Sequence, residues 1–148
     1  MSKPWEGREI GDFLVEDSVE LSRDSLVRYA GASGDFNPIH YRDDVAMSVG
    51  LEGVLAHGML TMGLAAGPIT AWLGERGFVS GYQVRFTKPV YVPAEGTVTV
   101  SVQASLAKID EPTEGSATLS LAVSTQDGST VLGKAFVVVS PRRPLFLT

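Results

Sequence analysis

The 148-residue sequence contains no cysteine, and its 12 basic side chains are outnumbered by 17 acidic ones. The absence of cysteine excludes a disulfide framework, a zinc site built from thiolates and a cysteine nucleophile. A formal net charge of −5 is the opposite of the basic excess that binds a phosphate backbone, so we expect no nucleic-acid partner. A hydrophobic content of 44% excludes a disordered chain, and the length predicts one domain over residues 1–148.

Charged residues are missing from one stretch that is long enough to cross a bilayer, Gly53 to Gly74. His57, Pro68 and several glycines interrupt it, and these residues make insertion into a membrane unfavourable. A helix that is apolar on all sides can instead form the buried centre of a globular domain, so we expect no membrane partner. The segment from Met1 to Gly11 is charged and lacks the apolar core of a secretory signal, which predicts a cytoplasmic location.

The second half of the chain has the period-two pattern of apolar and polar residues that is typical of half-buried strands. Four stretches are predicted to be strands: Tyr82 to Phe86, Val98 to Leu106, Ala117 to Val123 and Val131 to Val139. The connections between them are rich in turn formers, as in Gln126-Asp127-Gly128-Ser129. Short connections join antiparallel neighbours, so the pattern predicts a four-stranded antiparallel sheet.

The first half is predicted to contain three helices and a turn. Ser22 can cap a helix that ends at Gly31 and Gly34. A short helix is expected from about Asp43 to Gly50 and a long one from about His57 to Trp72. Between the first two helices, an Asn-Pro pair marks a turn, because the residue before proline avoids helical angles.

The predicted long helix is rich in small residues, which include Gly63 and Gly67. These make the helix slim, so we expect the sheet to approach its backbone closely. A long apolar helix followed by strands with one apolar face predicts an α+β domain, in which an antiparallel sheet wraps around the central helix. A sheet of this kind has free edges, and dimerisation is a common way to cover one.

The sequence has two histidines, His40 and His57, and both lie in a region rich in glycine and proline. Asp35 comes five residues before His40, across the rigid Asn37-Pro38 turn. A carboxylate and an imidazole held by one ordered loop are a potential acid/base pair. The alternative is structural: Asp35 caps backbone amides, and His40 is a partly buried polar residue. Spacing alone favours the structural alternative, because short motifs often match by chance.

Gly58 is predicted to lie in the first turn of the long helix, where free N–H groups and the helix dipole attract negative charge. An acid/base pair beside such a site suits proton abstraction next to a thioester carbonyl. The alternative role for Gly58 is close packing against the sheet. His57 is expected to cap the helix or to line the site in a structural role. A metal site of Asp35, His40 and His57 is set aside, because their spacing matches no known ligand motif.

Three segments of the sequence resemble one known family. The run Tyr-Ala-Gly-Ala-Ser-Gly-Asp-Phe-Asn-Pro-Ile-His, from Tyr29 to His40, resembles the hydratase motif of the MaoC-like, (R)-specific enoyl-CoA hydratase family. Ala56 to Leu60 resembles the start of that family's central helix, and Val84 to Val90 resembles the strand that follows. The resemblance covers nearly the whole chain. Within the family, Ala56 to Gly63 is most similar to the catalytic β subunit of actinobacterial (3R)-hydroxyacyl-acyl-carrier-protein dehydratases.

The resemblance implies a hot-dog fold and a reversible hydration of trans-2-enoyl thioesters to (3R)-hydroxyacyl thioesters, with a role in fatty-acid synthesis. It implies Asp35 and His40 as the catalytic pair and the amide of Gly58 as the group that binds the carbonyl. Asn37, His57 and Met59 are assigned with Gly58 to the substrate-binding site. This chemistry requires no metal and no other cofactor. The expected partners are a substrate linked to coenzyme A or acyl carrier protein and a second hot-dog subunit, in a homodimer or a heterodimer.

One position departs from the family's pattern. Some single-chain members have a serine eight residues after the equivalent of Gly58, where it helps to orient the catalytic groups, and this sequence has Ala66. The shorter dehydratase subunits fit this departure better. Two alternatives to a hydratase stay open: a hot-dog thioesterase, and a non-catalytic subunit that shapes the acyl tunnel of a heterodimer. The presence of both Asp35 and His40 argues against the non-catalytic subunit.

Overall fold

Residues 2–110 and 115–142 are described by the computed structural model, and they form five strands, three α-helices and one 3₁₀ turn. Along the chain these are β1 (Phe13–Leu21), α1 (Arg23–Ser33), the 3₁₀ turn (Pro38–His40), α2 (Asp43–Ser48), α3 (Gly58–Leu73), β2 (Gly77–Phe86), β3 (Val98–Asp110), β4 (Ser116–Thr125) and β5 (Thr130–Pro141). In the order of the chain, the helices therefore come after the first strand and before the other four.

The five strands form one antiparallel sheet in the order β1-β3-β4-β5-β2. The four predicted strands lie within β2 to β5, so the antiparallel sheet predicted for the second half is confirmed. On β3, Val98, Val100 and Val102 are buried and alternate with half-buried Thr99 and Ser101, as the period of two predicts. The strands thus turn one apolar face toward the core, in which α3 also packs.

The first strand, β1, is the part of the sheet that the sequence pattern does not predict. Its sequence Phe-Leu-Val-Glu-Asp-Ser-Val-Glu-Leu does not alternate cleanly, and its register against β3 shifts between Phe13 and Val15. Among the described strands it pairs with β3 alone, and more than half of its residues are exposed. Only the pairing with β3, in which Leu21 lies opposite Val98, determines which face of β1 points toward the core.

One side of α3 is buried in the core. Its core-facing residues Thr61, Ala65, Ile69 and Leu73 are at most 3% exposed and lie four positions apart, a spacing that follows one helix face. Gly63 and Gly67 lie on the other side, where a Cβ at either position would meet no atom within 4 Å. The prediction that these two glycines let the sheet approach the helix is therefore wrong, because helical periodicity turns them toward solvent. The small residue on the packed face is Ala65.

Among the described helices, none is long and apolar enough to cross a membrane. The uncharged stretch from Gly53 to Gly74 divides into two parts instead. Leu55 forms an isolated bridge with Tyr91, and the N–H of Ala56 donates to the carbonyl of Val90 at 2.8 Å, just before α3 begins. This bridge fixes the entry of α3 and with it the surroundings of the candidate site. The cytoplasmic location stays a prediction.

Candidate active site

Local hydrogen bonds shape the loop between α1 and the 3₁₀ turn. α1 is closed by Gly34, whose φ of 77° is left-handed and whose N–H donates back into the helix. Asp35 Oδ1 accepts the N–H of Asn37 at 3.2 Å, and Asn37 Oδ1 accepts the N–H of Ile39 at 3.3 Å. Short polar side chains favour such turns because they bond to the backbone two residues ahead. The loop thereby carries the Asp35 carboxylate and the His40 ring toward each other.

The two carboxylate oxygens of Asp35 face different partners. Oδ1 is used by the turn, as the structural interpretation of the sequence expects, whereas Oδ2 lies 4.0 Å from Nε2 of His40. The Asp35 side chain is 53% exposed and the His40 side chain 9% exposed, so an accessible carboxylate meets a buried ring. A gap of 4.0 Å is too long for a direct hydrogen bond, but one oxygen atom can bond to both groups at about 2.8 Å. The geometry suits a water molecule or a substrate hydroxyl.

A backbone carbonyl fixes which nitrogen of His40 carries the proton. His40 Nδ1 lies 2.7 Å from the carbonyl oxygen of Leu55, and because a carbonyl oxygen only accepts, Nδ1–H is the donor. In the neutral ring, Nε2 therefore carries the lone pair, on the side nearest to Asp35 Oδ2. The ring can accept a proton from a bound water. Sequence reasoning missed Leu55, since a backbone carbonyl leaves no signal in the residue pattern.

His57 lies against both members of the pair. It is 2% exposed, and its ring stacks on that of His40 with centroids 3.7 Å apart and planes inclined by 22°. Its Nε2–H donates to the backbone carbonyl of Asp35 at 3.1 Å, and the Tyr29 ring contacts it edge-on at 4.8 Å between centroids. His57 is the N-cap residue of α3, but its side chain makes no capping hydrogen bond. Its side chain therefore does not cap α3 but contacts both Asp35 and His40.

Gly58 is the first residue of α3 and lines a cavity of about 280 Å³. N–H groups in the first turn of a helix have no partner within the helix, so the amide of Gly58 suits a carbonyl oxygen. The cavity walls are mostly apolar and include Leu55, Ala56, Thr61, Phe86, Val90 and Leu132. A Cβ at Gly58 would lie 3.1 Å from two atoms of the Phe86 ring, so access to the amide and close packing both depend on this glycine.

Three of the four predicted substrate-binding residues, Asn37, His57 and Met59, do not line this cavity. Met59 is 58% exposed on the first turn of α3 and does not line it. Asn37 is exposed, and its Oδ1 accepts the N–H of Ile39, so it shapes the loop. Their role in substrate binding stays a prediction. The cavity adds Thr61 and Phe86, to which the sequence pattern assigned no role, although Phe86 belongs to the Val84–Val90 segment of the resemblance.

Asp35, His40 and His57 could in principle hold a metal ion, since ligand atoms from all three lie within 4.8 Å of one another. An imidazole binds an ion in the plane of its ring, about 2.1 Å from the nitrogen. The two rings are stacked 3.7 Å apart and inclined by 22°, so their planes do not meet near the nitrogens. Nδ1 of His40 and Nε2 of His57 are also bonded to carbonyl oxygens. The arrangement suits proton transfer better than metal binding.

An ion pair beside the site holds its supporting segments together. Arg23 at the start of α1 contacts Asp43 at the start of α2 at 2.9 Å, and Arg23 Nε donates to the carbonyl of Val92 at 2.7 Å. Asp43 Oδ1 also accepts the N–H of Val54, the residue before Leu55. The hydrogen bond from Arg23 is the main cause that lowers the pKa of Asp43. The pair thus fixes the backbone that presents the Leu55 carbonyl to the site, a contact that sequence reasoning missed.

Comparison with known proteins identifies the family of this chain. A family model described as the MaoC-like domain matches residues 8–125. The chain belongs to the MaoC-like domain family. It is 34% identical over 114 residues to the (R)-specific enoyl-CoA hydratase of Aeromonas caviae, which covers 76% of this chain and 81% of that relative. It is 36% identical over 87 residues, 59% of this chain, to the mitochondrial 3-hydroxyacyl-[acyl-carrier-protein] dehydratase of Arabidopsis thaliana, and it spans about half of that dehydratase, 51%.

Solved structures of similar fold confirm the architecture. A MaoC-like dehydratase superposes with a TM-score of 0.83 at 34% identity, over 92% of this chain and 41% of that one. The HadBC (3R-hydroxyacyl-ACP dehydratase) complex from Mycobacterium tuberculosis superposes with a TM-score of 0.64 at 16% identity, over 83% of this chain and 90% of that one, which shows the fold alone. The predicted hot-dog fold, a sheet around a long helix, is thereby confirmed.

Proposed function

We propose that the chain catalyses the reversible hydration of trans-2-enoyl thioesters to (3R)-hydroxyacyl thioesters. The observation that carries the proposal is the 4.0 Å gap between Asp35 Oδ2 and Nε2 of His40, whose tautomer leaves a lone pair on Nε2. Two proton-transfer groups at this separation can share one water oxygen, as hydration requires. Membership of a family that includes an (R)-specific enoyl-CoA hydratase supports the proposal.

The pair performs both proton transfers of the hydration. Asp35 Oδ2 orients the water, and His40 Nε2 accepts one of its protons while the water oxygen forms a bond to C3 of the acyl chain. The electrons of the C2–C3 double bond move toward the thioester carbonyl and form an enolate. The same pair returns the proton to C2, so that one water molecule is added in sum. Because one pair serves both steps, the hydroxyl and the proton add to the same face.

The cavity is lined by Gly58 and by Leu55, whose carbonyl binds His40, and it supplies the two remaining requirements. The amide of Gly58 donates a hydrogen bond to the enolate oxygen, and donors of this kind typically contribute about 100-fold or more to the rate. The apolar walls around Leu55, Phe86 and Val90 suit an acyl chain, which gains from leaving water. The substrate class is therefore an acyl thioester, carried by coenzyme A or by an acyl carrier protein.

We further propose that the chain works as a dimer with a second hot-dog subunit, identical or related. Among the described strands, β2 has β5 as its single neighbour, so its outer edge is free to pair with another chain. Phe78 and Phe86 on β2 are 46% and 51% exposed, which is typical of an apolar surface that a partner covers. The HadBC complex from Mycobacterium tuberculosis, whose fold is similar, supports this proposal.

The test measures the loss of ultraviolet absorbance as the conjugated double bond of trans-2-enoyl-CoA is hydrated. Substrates of several chain lengths are used, and the stereochemistry of the product is determined.

Two variants remove the proton-transfer groups of the pair and keep their hydrogen bonds to the backbone. Asp35→Asn retains an oxygen for the N–H of Asn37, and His40→Asn retains an N–H donor for Leu55. We expect each to lower kcat about 100-fold or more, because general acid–base catalysis has this size. Asp44→Asn, an exposed carboxylate of α2 paired with Arg42, is the matched control and is expected to keep full turnover.

Each alternative gives a different result in the same assay. Release of free thiol with the conjugation intact identifies a thioesterase. Turnover that appears only with a hot-dog partner, and that Asp35→Asn abolishes, identifies a catalytic subunit of a heterodimer. Turnover in that complex that is indifferent to Asp35→Asn and His40→Asn identifies a non-catalytic subunit and contradicts the proposal.

A further inference from the structure

His57 contacts both residues of the proposed catalytic pair but takes no part in the proton transfers. It lies 22 positions after Asp35, at the start of α3, and it is 2% exposed. Its Nε2–H donates to the carbonyl of Asp35 at 3.1 Å, and its ring lies on that of His40 at 3.7 Å. One side chain thus connects the start of α3 to both members of the pair.

The loop that carries Asp35 depends on this connection. Asp35, Phe36 and Asn37 are all exposed, so burial does little to hold them. The bonds of Asp35 to Ser33 Oγ and to the N–H of Asn37 are local, each spanning two residues. Within the part of the chain that the structure describes, the bond from His57 is the hydrogen bond that ties Asp35 to a distant element. Without it, the carboxylate can move relative to the ring of His40.

A purely structural role does not account for a histidine at this position. Nδ1 of His57 is buried, and it has no hydrogen-bond partner among the described residues. Burying an unpaired polar atom is unfavourable, and an apolar side chain of similar size would avoid that cost while filling the same space. The contribution specific to the imidazole is therefore the hydrogen bond from Nε2–H to the carbonyl of Asp35.

We propose that His57 is a positioning residue, which fixes the 4.0 Å gap between Asp35 and His40 by holding the first through a hydrogen bond and the second through ring stacking. The inference rests on the proposed hydration. His57 does not line the cavity, so its loss should lower kcat and leave KM nearly unchanged. Misplacement of reacting groups by about 1 Å can reduce a rate by about 100-fold.

The test compares two polar substitutions that differ in where they place an N–H donor. In His57→Gln the side-chain amide reaches about as far as Nε2, whereas in His57→Asn it reaches about as far as Nδ1, which has no hydrogen-bond partner among the residues that the structure describes. We expect His57→Gln to keep kcat within about threefold of wild type and His57→Asn to lose about 10- to 100-fold, with KM within about twofold in both. The variants are assayed as the purified chain, in whichever assembly is active, and their thermal midpoints are measured in parallel.

Three results would overturn the positioning role. In the first, the two variants keep wild-type kcat. In the second, they lose kcat equally, in proportion to a common loss of stability, which is what a packing role alone predicts. In the third, KM rises while kcat is retained, which indicates direct contact with substrate. Loss of turnover in Asp35→Asn together with wild-type turnover in His57→Asn refutes this inference alone. Retained turnover in Asp35→Asn refutes the catalytic role of the pair and with it this inference, whereas a wild-type chain that hydrates no enoyl thioester in any assembly refutes the proposed function.

Discussion

β3 and the loop from Ser33 to Asn37 are held in place in two different ways. On β3, Val100, Val102 and Ala104 are at most 1% exposed, and the hydrophobic effect that holds them has no preferred direction. In the loop, Asp35 and Asn37 are exposed and bond to backbone N–H groups at 3.2 and 3.3 Å. Burial tolerates exchange of one apolar residue for another, whereas directional bonds require particular side chains. Changes in the core should therefore reduce stability, and changes at the site should reduce the rate.

A substitution in the buried core should have the largest effect on stability. Ile69 is fully buried on the core face of α3, so Ile69→Ala leaves a cavity and should lower the free energy of unfolding by about 2–5 kcal/mol. Urea denaturation measures this change, and turnover per folded molecule should stay at the wild-type value. The control is Thr70→Ala on the exposed side of the same helix, with an expected change within about 0.5 kcal/mol. A loss below about 1 kcal/mol for Ile69→Ala would contradict the central position of the helix.

Two glycines of α3 allow the same comparison within one helix, because Gly58 lies at the site and Gly63 on the exposed side. Gly58→Ala places a methyl group 3.1 Å from the Phe86 ring and beside the amide, so we expect hydration to slow about 10-fold or more. Phe86 is half exposed and can shift, so stability should change little. Gly63→Ala meets open space, and it should raise the free energy of unfolding by about 0.5–1 kcal/mol with turnover unchanged, because alanine favours helix. Equal effects of both variants on turnover would argue against a role for the Gly58 amide.

The ion pair between Arg23 and Asp43 is a polar contact of the scaffold, and its expected effect is the smallest. The pKa of Asp43 lies below its ordinary value of 3.8, chiefly because Arg23 donates a hydrogen bond to it. Such a carboxylate stabilises the fold above its ordinary pKa, and this contribution is lost as the pH falls through the folded-state pKa. Asp43→Asn should therefore lower the thermal midpoint slightly at about pH 7, with the difference from wild type closing toward about pH 2.

The control for that prediction is Asp44→Asn, whose pair with Arg42 lies within one turn of chain and joins no separate elements. It should change the thermal midpoint less than Asp43→Asn at both pH values. A difference between Asp43→Asn and wild type that is the same at both pH values would show that the carboxylate's charge is not what stabilises the fold.

The sheet could be predicted from the sequence wherever a strand has one buried and one exposed face. β3 and β4 alternate along their length, since successive side chains point to opposite faces. β1 could not be predicted in this way, because it lies at the edge of the sheet and its acidic residues interrupt the alternation. Its assignment to the sheet depends on pairing with β3, whose partner residues lie 77 to 92 positions further along the chain.

The site divides in the same way. The turn at Asp35 follows from a local rule, because short polar side chains bond to the backbone just ahead. The start of α3 at Gly58 follows from the apolar stretch whose pattern predicts a helix from about His57. These rules brought Asp35 and His40 into one loop, and the resemblance to a family assigned them a reaction. The catalytic roles themselves await the kinetic tests.

By itself, the sequence determined the strand pattern, the long helix and the loop that carries the pair, because these depend on interactions between residues close together in the chain. The tertiary structure decided that Leu55 fixes the tautomer of His40, that His57 contacts both Asp35 and His40, and that Gly63 and Gly67 face solvent. Each of these contacts depends on the direction in which distant elements pack. A backbone carbonyl or the orientation of a helix face has no residue type of its own, so the sequence pattern carries no signal for it.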